Sequence, residues 1–383
     1  MNIQLQTGQH NLTLRRYPPK LQHASLQAWD AADEYLLQHI TDQFGDNMPT
    51  PLCVLNDDFG TLGCALSAFP LYWQSDSRVA HLALHYNLAQ NQLSADRITV
   101  LDSLTPIPKE SRVILLKLPK TLGLLEYQLQ QINQSASPDI TIIAAGKTNL
   151  VQTATLKLFE KYIGTTRTSL AVKKSRLVFS TFDTDKRYKS TFPEHFQCDI
   201  NGFEISNHAN VFARQQLDIG ARLFMQHLPN AQDKHVIDLG CGNGVIGLQV
   251  LNQSPDASVT FVDESHMSVA SARANVERNL AAQYRQCQFI EDNCLEHFDS
   301  LNQHGAVDVV LCNPPFHQQN TITDHIAFQM FSDAKRVLRK GGELRIIGNR
   351  HLDYPRKLKR LFGGYRVVAS DKKFSILSAI KRD

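Results

Sequence analysis

The chain has 383 residues, of which 42% are apolar and 20% are charged, and its formal net charge is +3. This composition is typical of a soluble globular protein, and no apolar stretch is long enough to span a membrane. The net charge is too small to indicate a nucleic-acid partner by itself, while the length suffices for two domains with cores of their own.

The amino terminus and the cysteines indicate a reducing compartment. The first residues lack the basic segment and the apolar core of a secretory signal. The cysteines have no paired spacing and stand at positions 53, 64, 198, 241, 287, 294 and 312. We therefore expect a cytoplasmic protein with neither a disulfide framework nor a metal site.

The first half of the chain alternates apolar strands with helical patterns. A strand is predicted at 51–55, followed by a turn that contains Gly60 and Gly63. Further strands are predicted at 113–118 and 140–144. Such alternation predicts a mostly parallel sheet with helices on both faces.

A linker is predicted between the two halves. The polar stretch at 183–189 begins it, and residues 191–205 lead into the second half. Polar stretches of this kind between periodic segments are typical of loops.

The second half begins with the motif DLGCGNGVIG at 238–247. Val236 and Ile237 predict the end of a buried strand, the alternate glycines predict a tight turn, and a helix is predicted from Val245. Glycines allow the backbone to approach a ligand closely and to adopt angles that other residues avoid. We expect a nucleotide-like cofactor above this loop. The spacing differs from the dinucleotide fingerprint, in which the third glycine comes three residues after the second.

Three more apolar strands follow, and each ends in polar residues. The first ends in Asp263, whose carboxylate can accept hydrogen bonds from both hydroxyls of a ribose. The second is followed by Asp292 and Asn293, either of which could hold the edge of an adenine. The third, at 307–312, ends in Asn-Pro-Pro-Phe at 313–316. Parallel strands deliver their carboxyl ends to one edge of a sheet, so these residues are expected to lie together.

The Asn-Pro-Pro-Phe motif suits methylation of an amine on a planar base. The lone pair of such an amine is delocalised into the ring, so the site must draw the nitrogen toward tetrahedral geometry. The side-chain oxygen of Asn313 and the backbone carbonyl of Pro314 can each accept one N–H, and the prolines hold both acceptors in place. Phe316 offers a face for stacking. A base inside structured RNA must be unstacked to reach such a pocket.

The two halves repeat one architecture. Gly60 and Gly63 align with Gly244 and Gly247, and the later motif at 313–316 corresponds to Lys-Leu-Pro-Lys at 117–120. Both copies are predicted to end in an antiparallel hairpin. The first copy has thus lost two loop glycines and the amine acceptor, and we expect it to bind no cofactor.

The motifs of the second half resemble those of a known family. The glycine loop resembles motif I of the S-adenosylmethionine-dependent methyltransferases. The whole doubled chain resembles the bacterial ribosomal RNA guanine-N2 methyltransferases of the RlmG/RsmC group, and is closest to the RlmG branch, which modifies 23S rRNA. The strings that indicate this branch are NHANVF at 207–212, LDIGAR at 217–222, NPPFHQQ at 313–319 and NRHLDY at 349–354.

The resemblance implies two tandem class I, Rossmann-like α/β domains, each a mostly parallel seven-stranded sheet that ends in an antiparallel hairpin. Residues 1–190 would be a degenerate copy that recognises or positions RNA, and residues 191–383 would be catalytic. The activity implied is N2-methylation of a guanine in 23S rRNA, with guanine 1835 suggested. The partner would be that RNA, naked or in an assembly particle. The oligomeric state stays open, with a monomer as the simplest expectation.

The resemblance also implies S-adenosylmethionine as the cofactor. Its residues would be Asp238, Gly240, Gly242, Gly244, Asp263, Asp292 and Asn293. The last pair departs from the acidic-then-small pattern that is commoner in the family, which leaves open the residue that contacts adenine. Residues 212–220 either fold over the cofactor or form a packing helix.

Basic clusters at 173–176, 186–189 and 356–360 are candidates for phosphate contact, although a solvated helix face explains the last one equally well. Other functions remain open. One is the same reaction on 16S rRNA, and another is methylation of adenine N6 or of a glutamine amide. A third is a non-catalytic RNA-binding protein. The methylated product separates the first two, and cofactor binding tests the third.

Overall fold

The structure is a computed structural model that describes residues 2–7, 10–19, 26–315 and 321–382. It divides into two compact units, Met1–Phe192 and Pro193–Asp383. Each unit contains one seven-stranded sheet, mostly parallel, with an antiparallel hairpin at one edge. The predicted α/β fold class is therefore confirmed. No helix in the described part of the chain is long and apolar enough to cross a membrane.

The first unit contains nine strands and five helices among its described residues. The strands are β1 (Gln4–Thr7), β2 (His10–Thr13), β3 (Leu52–Leu55), β4 (Leu71–Gln74), β5 (Ile98–Leu101), β6 (Val113–Lys117), β7 (Thr141–Lys147), β8 (Thr166–Thr168) and β9 (Ser175–Ser180). The helices are α1 (Ala31–Phe44), α2 (Thr61–Ala65), α3 (Arg78–Gln90), α4 (Leu122–Ser135) and α5 (Thr153–Tyr162). The strand order in its sheet is β5-β4-β3-β6-β7-β9-β8, and β1 and β2 form a separate hairpin.

The second unit repeats this arrangement. Its strands are β10 (Glu194–Gln197), β11 (Glu204–Asn207), β12 (His235–Leu239), β13 (Ser258–Asp263), β14 (Cys287–Glu291), β15 (Val307–Cys312), β16 (Leu338–Asn349), β17 (Arg366–Ser370) and β18 (Phe374–Ile380). Its helices are α6 (Ile219–Met225), α7 (Val245–Gln253), α8 (His266–Asn279), a 3₁₀ helix (Ala281–Gln286), α9 (Phe298–Leu301), α10 (Thr321–Val337) and α11 (Tyr354–Phe362). The strand order is β14-β13-β12-β15-β16-β18-β17, the same as in the first unit.

The sheet of the second unit is covered on both faces, which explains its long apolar strands. Along β12, Val236 faces one core with Phe261, whereas Ile237 faces the other core with Phe331. All of these side chains are fully buried. Each such burial contributes about 1.5–3 kcal/mol. The central strands β12 and β15 are therefore held firmly, and their carboxyl ends form a rigid platform.

The stretch predicted as a lead-in, residues 191–205, contains a hairpin that the sequence analysis did not predict. Strands β10 and β11 pair antiparallel from Glu194 opposite Asn207 to Gln197 opposite Glu204. Half of the residues of β10 are exposed, and this strand lacks the apolar alternation that identifies a strand from sequence. Side chains from α8 hold it in place.

Asn275 of α8 makes the main attachment. Its Oδ1 accepts from the backbone N–H of Ser206 at 2.7 Å, and its Nδ2 donates to the carbonyls of Ser206 and Asn243, both at 2.9 Å. One turn later, Asn279 contacts the backbone N–H and carbonyl of Glu204 in the same way, at 3.1 and 3.0 Å. Since Asn243 belongs to the glycine loop, Asn275 ties the hairpin and this loop to one helix.

The first unit contains the same attachment. Asn87 of α3 accepts from the N–H of Arg15 at 2.9 Å and donates to the carbonyls of Arg15 and Phe59, at 2.9 and 2.8 Å. Asn91 contacts the N–H and carbonyl of Thr13 at 2.7 and 2.8 Å. Two buried asparagines with matching partners, in addition to identical strand orders, support the predicted duplication.

Candidate active site

The glycine loop leaves β12 with three residues in the left-handed region. Gly240, Gly242 and Gly244 have φ of 72°, 55° and 81°, which other residues adopt only at a cost. The N–H groups of Gly240 and Cys241 both donate to the carbonyl of Val262, at 2.8 and 3.0 Å. The loop therefore folds back across the end of β13.

The glycines serve two different purposes. A Cβ on Gly244 would lie 2.9 Å from the Cβ of Ala272, and one on Gly247 would overlap the ring of Phe261. These two glycines allow α7 to pack closely. A Cβ on Gly242, in contrast, would meet no atom of the described residues within 4 Å. The backbone there borders open space, which is what a bound ligand needs.

Two carboxylates, those of Asp238 and Asp263, stabilise the glycine loop by accepting hydrogen bonds from its backbone N–H groups. Asp238 is 3% exposed, and its Oδ2 accepts from the N–H of Gly247 at 2.9 Å. Burial raises the pKa of Asp238 to about 7, and the nearby charge of Asp263 adds to this effect. Asp263 is half-buried and accepts from the N–H groups of Gly242 and Ser265, at 2.9 and 3.0 Å. It thus lies beside the open space over Gly242.

Asp292 and Asn293 follow β14, next to Asp263 along the sheet edge. The Oδ2 of Asp292 accepts from the backbone N–H of His297 at 2.7 Å, and its Oδ1 lies 2.8 Å from Nδ1 of the same histidine. Asn293 donates to Glu296 at 3.0 Å. Both side chains are buried. The structure brings the pair to the predicted edge, and the residue that contacts adenine remains open.

Asn313 follows the end of β15, the strand that pairs with β12 so that Cys312 lies opposite Leu239. Its backbone carbonyl lies 3.9 Å from a Cβ built on Gly240. Its Oδ1 is buried and has no hydrogen-bond partner among the described residues. Leaving a buried acceptor unpaired costs about 1–3 kcal/mol. This oxygen is therefore available to a donor that the protein itself does not provide.

Pro314 is buried beside Asn313, whereas Pro315 is exposed. Phe316, predicted to stack on the target base, lies outside the described residues. The two predicted amine acceptors, in contrast, stand where β15 ends next to the glycine loop.

The surroundings fit a cationic methyl donor and exclude thiolate chemistry. Asp238, Asp263 and Asp292 place carboxyl groups around the loop, which suits the positive charge of a sulfonium. Burial raises the pKa of the thiols of Cys241 and Cys312 well above its ordinary value, so both stay protonated. Among the described residues, no group of three or more His, Cys, Asp or Glu side chains could hold a metal ion.

The sequence analysis did not predict the role of Asn207. This residue is fully buried, and its Oδ1 accepts from Asn243 Nδ2 at 2.9 Å while its Nδ2 donates to the carbonyl of Arg214 at 3.1 Å. It thus fastens the segment before α6 to the glycine loop. Phe212, in this segment, is 68% exposed. Helix α6 begins only at Ile219, so residues 212–218 form a loop and not a packing helix.

In the first unit, charged side chains fill the corresponding place. The register of β3 with β6 puts Lys117 where Asn313 stands in the second unit. The Lys117 ammonium contacts Asp30 at 2.8 Å and Asp33 at 2.7 Å, and it is 12% exposed. Asn56, at the position of Gly240, keeps φ at 63° and donates to the carbonyl of Lys117 at 2.9 Å. An ion cluster thus stands where the unpaired acceptor stands in the second unit.

The pattern of glycine loss follows from these two purposes. Gly60 and Gly63 are retained, because a Cβ on either would lie within 2.6 Å of Leu84. Asp58 stands at the position of Gly242, which borders open space in the second unit, and Asn56 stands at the position of Gly240, where a Cβ would lie 3.3 Å from Met330. The first copy therefore keeps the two glycines that helix packing requires and lacks the counterpart of Gly242.

The fold and this site together define a class I, Rossmann-like methyltransferase. The family models agree, since an "RLMG N-terminal domain" matches residues 2–184 and a "Methyltransferase small domain" matches residues 202–378. The chain is 54% identical to the ribosomal RNA large subunit methyltransferase G of Pseudoalteromonas atlantica, with 100% of both chains covered. It is 50% identical to that of Erwinia tasmaniensis, with 99% of both chains covered.

The chain therefore belongs to the family of the ribosomal RNA large subunit methyltransferases G, and the resemblance seen in the sequence is confirmed. A solved structure with the same fold is the 16S rRNA N2 G1207 methyltransferase (RsmC) of T. thermophilus, in complex with AdoMet and guanosine. Its TM-score is 0.76 at 18% identity, and the match covers 99% of this chain and 97% of that one.

Proposed function

We propose that the chain transfers a methyl group from S-adenosylmethionine to the exocyclic N2 of one guanine in 23S rRNA. The observation that carries the proposal is the buried, unpaired Oδ1 of Asn313 beside the glycine loop. Such an oxygen needs a donor, and the N–H of a base amine is one. The resemblance suggests guanine 1835 as the target.

Each cofactor residue has a role that its position supports. The half-buried carboxylate of Asp263 accepts from the ribose hydroxyls, and the open backbone at Gly242 admits the cofactor. Asp238 holds the loop by accepting a hydrogen bond from the N–H of Gly247. Asp292 or Asn293 borders the adenine. When bound, S-adenosylmethionine supplies an electrophilic methyl group.

The protein activates the amine by positioning it. The Oδ1 of Asn313 and the carbonyl of Pro314 each accept one N–H, which draws the nitrogen toward tetrahedral geometry, localises its lone pair and aims that lone pair at the methyl group. Phe316 stacks on the base. After transfer the protonated amine is strongly acidic, so its proton leaves to water without a dedicated base.

The two units have different roles in the reaction. Residues 191–383 carry the reaction, and residues 1–190 recognise or position the RNA, because their cofactor place is filled by Lys117 and its partners. The substrate is 23S rRNA, naked or in an assembly particle, so the protein acts in the cytoplasm. A monomer contains every residue that the reaction uses.

Changing Asn313 to Ala tests this proposal. We expect methyl transfer to large-subunit rRNA to fall at least about 10²-fold, the usual effect of removing one positioned polar group. Since Oδ1 has no partner among the described residues, stability should not fall, and the cofactor dissociation constant should stay within about threefold. Radiolabel transfer, calorimetry and thermal unfolding measure the three quantities. Turnover near that of the unmodified protein would disprove the assignment.

A further inference from the structure

A basic groove lies at the carboxyl end of β16, outside the residues assigned above. Its cavity measures about 670 Å³ and is lined by Asn349, Arg350, His351, Lys372 and Lys373. We propose that this groove binds the sugar–phosphate backbone of the RNA next to the target nucleotide. The inference rests on the proposed function and adds a substrate-binding surface to it.

The register places the groove at the same sheet edge as Asn313. Strand β16 is parallel to β15, with Ile346 opposite Cys312, and it ends three residues later at Asn349. Strand β18 is antiparallel to β16, so the turn before Phe374 lies beside Asn349. At the usual spacing of about 5 Å per strand, β15 and β18 are roughly 10 Å apart. Nucleotides that flank a base held at Asn313 can therefore reach the groove.

Backbone contacts fix the two segments that form the groove. The N–H of Arg350 donates to the carbonyl of Lys373 at 3.0 Å. The carboxylate of Asp371 accepts from the N–H groups of Lys373 and Phe374, at 2.7 and 2.6 Å. These N–H groups, first that of Phe374, lower the pKa of Asp371, so it stays ionised. The hydrogen bonds that the Asp371 carboxylate accepts from the backbone hold the turn that contains Lys372.

The charge of the groove is positive. Two of its cations have a contact within the protein, since Arg350 donates to the carbonyl of Asp371 at 3.4 Å and the Lys373 ammonium lies 5.1 Å from the centroid of the Phe374 ring. Arg350, Lys372 and Lys373 contribute three cations against the single carboxylate of Asp371. All four residues are exposed. The side chain of Lys372 makes no hydrogen bond or ion pair with any residue that the structure describes. Clustered exposed cations of this kind neutralise phosphates and release counterions.

Each basic cluster predicted from the sequence also has a cation that is engaged within the protein. Lys173 contacts Glu34 at 2.7 Å, and Arg356 contacts Asp353 at 2.7 Å. The ammonium of Lys186 donates to the carbonyl of Glu160. These contacts reduce the charge that those clusters can offer, and the groove differs from them in having the buried, unpaired Oδ1 of Asn349 among its lining residues.

The unpaired side-chain oxygen of Asn349 favours RNA over other ligands that carry phosphate groups. It is 9% exposed, and its Oδ1 is buried without a partner among the described residues. This acceptor needs a donor, which a phosphate diester lacks and a ribose 2′-hydroxyl has. A ligand with alternating phosphates and 2′-hydroxyls satisfies both the cations and the amide.

Charge reversal at Lys372 tests the proposal on the full chain. The probe is large-subunit rRNA freed of protein, and the matched control is Lys340→Glu, which alters an equally exposed lysine at the amino end of β16. We expect Lys372→Glu to weaken RNA binding about tenfold at 0.1 M salt and to lower the slope of log K against log salt by about 0.7–0.9. Lys340→Glu should change binding less than about twofold.

Kinetic measurements separate the groove from the catalytic site. With Lys372→Glu, KM for the RNA should rise about tenfold while kcat and the cofactor dissociation constant stay unchanged. Lys372→Arg should restore binding, because it keeps the charge. Equal weakening by Lys372→Glu and Lys340→Glu, or a loss confined to kcat, would overturn the proposal.

The role of Asn349 has its own test. Asn349→Ala should weaken binding of a short RNA about threefold and leave binding of the DNA of the same sequence unchanged, because only RNA has the 2′-hydroxyl. Equal weakening for both nucleic acids would contradict this role.

Measurements of methylation and of RNA binding distinguish a failure of the groove proposal from a failure of the proposed function. If the chain methylates no rRNA but Lys372→Glu still weakens RNA binding relative to Lys340→Glu, the groove stands and the reaction does not. If methylation is intact and Lys372→Glu binds RNA normally, the groove is wrong.

Discussion

Single polar groups distinguish the second unit from the first at the matching position at the end of the fourth strand of each sheet in chain order. In the second unit the Oδ1 of Asn313 is buried without a partner among the described residues, which the protein tolerates at a cost of about 1–3 kcal/mol. At the same position in the first unit, Lys117 contacts both Asp30 and Asp33. An unpaired acceptor suits a ligand that arrives later, whereas a saturated ion cluster suits stability.

At the scale of single residues, the raised pKa of Asp238 predicts how the free energy of unfolding depends on pH. Its folded-state pKa of about 7 lies above its ordinary value of 3.8, so the folded state holds this proton more tightly than the unfolded state does. The stability from this group is complete below pH 3.8 and is lost as pH rises through about 7. The free energy of unfolding should fall by about 1.4 kcal/mol per pH unit in this window, or roughly 4 kcal/mol in all.

Asp238→Asn should remove this slope, because an amide oxygen still accepts from Gly247 and cannot ionise. Urea unfolding from pH 4 to pH 8 measures the difference. Other titrating groups, Asp33 among them, contribute equally to both proteins and cancel. The control is the exposed Asp233, whose φ of 56° suits Asn as well, and Asp233→Asn should keep the slope of the unmodified protein. Parallel curves for Asp238→Asn and the unmodified protein would refute the assignment.

At the scale of elements, the sequence predicts those strands and hairpins whose ends are set by a local pattern of apolar and polar residues. The strand at 307–312 was predicted with its observed ends, because its apolar run stops at Asn313-Pro314. The hairpin at 366–377 follows from two apolar runs around a polar turn. Hairpin β10–β11 was missed because Asn275, which lies 69 residues further along the chain than Ser206, holds it. A contact so distant in sequence leaves no local pattern.

The site was predictable for a related reason. Asp263 and Asn313 each follow an apolar strand, and parallel strands end at one edge, so sequence order alone brings them together. The function of Asn207 was not predictable, because its partners Asn243 and Arg214 are known only once the loop is folded. The basic groove was missed because β16 and the turn before β18 contribute its residues separately.

The matched asparagines Asn87 and Asn275 give a prediction for the two elements that they fasten. Each makes three hydrogen bonds to the backbone of distant segments, so substitution by Ala should cost about 2–4 kcal/mol of unfolding free energy in either unit. Only Asn275→Ala also releases Asn243 of the glycine loop. Calorimetry should therefore show weaker cofactor binding for Asn275→Ala and unchanged binding for Asn87→Ala. Equal cofactor affinities in the two variants would contradict this role of the loop attachment.

At the scale of the whole molecule, one fold occurs twice in the chain. The two sheets share a strand order, and the retained glycines, Gly60 and Gly63, are those that helix packing requires. Of the two loop glycines that the first unit lacks, the counterpart of Gly242 is the one that borders open space in the second unit.

This division predicts one cofactor site per chain. Titration of the full chain with S-adenosylmethionine should give a stoichiometry of about one, because Asn56 and the Lys117 cluster occupy the other place. Asp263→Ala should abolish binding, whereas Ser75→Ala, at the matching position after β4, should not change it. A stoichiometry near two, or residual binding in the Asp263 variant, would assign a cofactor to the first unit.

The central claim is the reaction itself, and one measurement tests it most directly. Nucleosides from 23S and 16S rRNA, purified separately from cells with and without the gene, can be compared by mass spectrometry. The account predicts that loss of the gene removes N2-methylguanosine from one position of 23S rRNA and leaves 16S rRNA unchanged. Loss from 16S rRNA, loss of N6-methyladenosine instead, or unchanged nucleosides in both RNAs would contradict it.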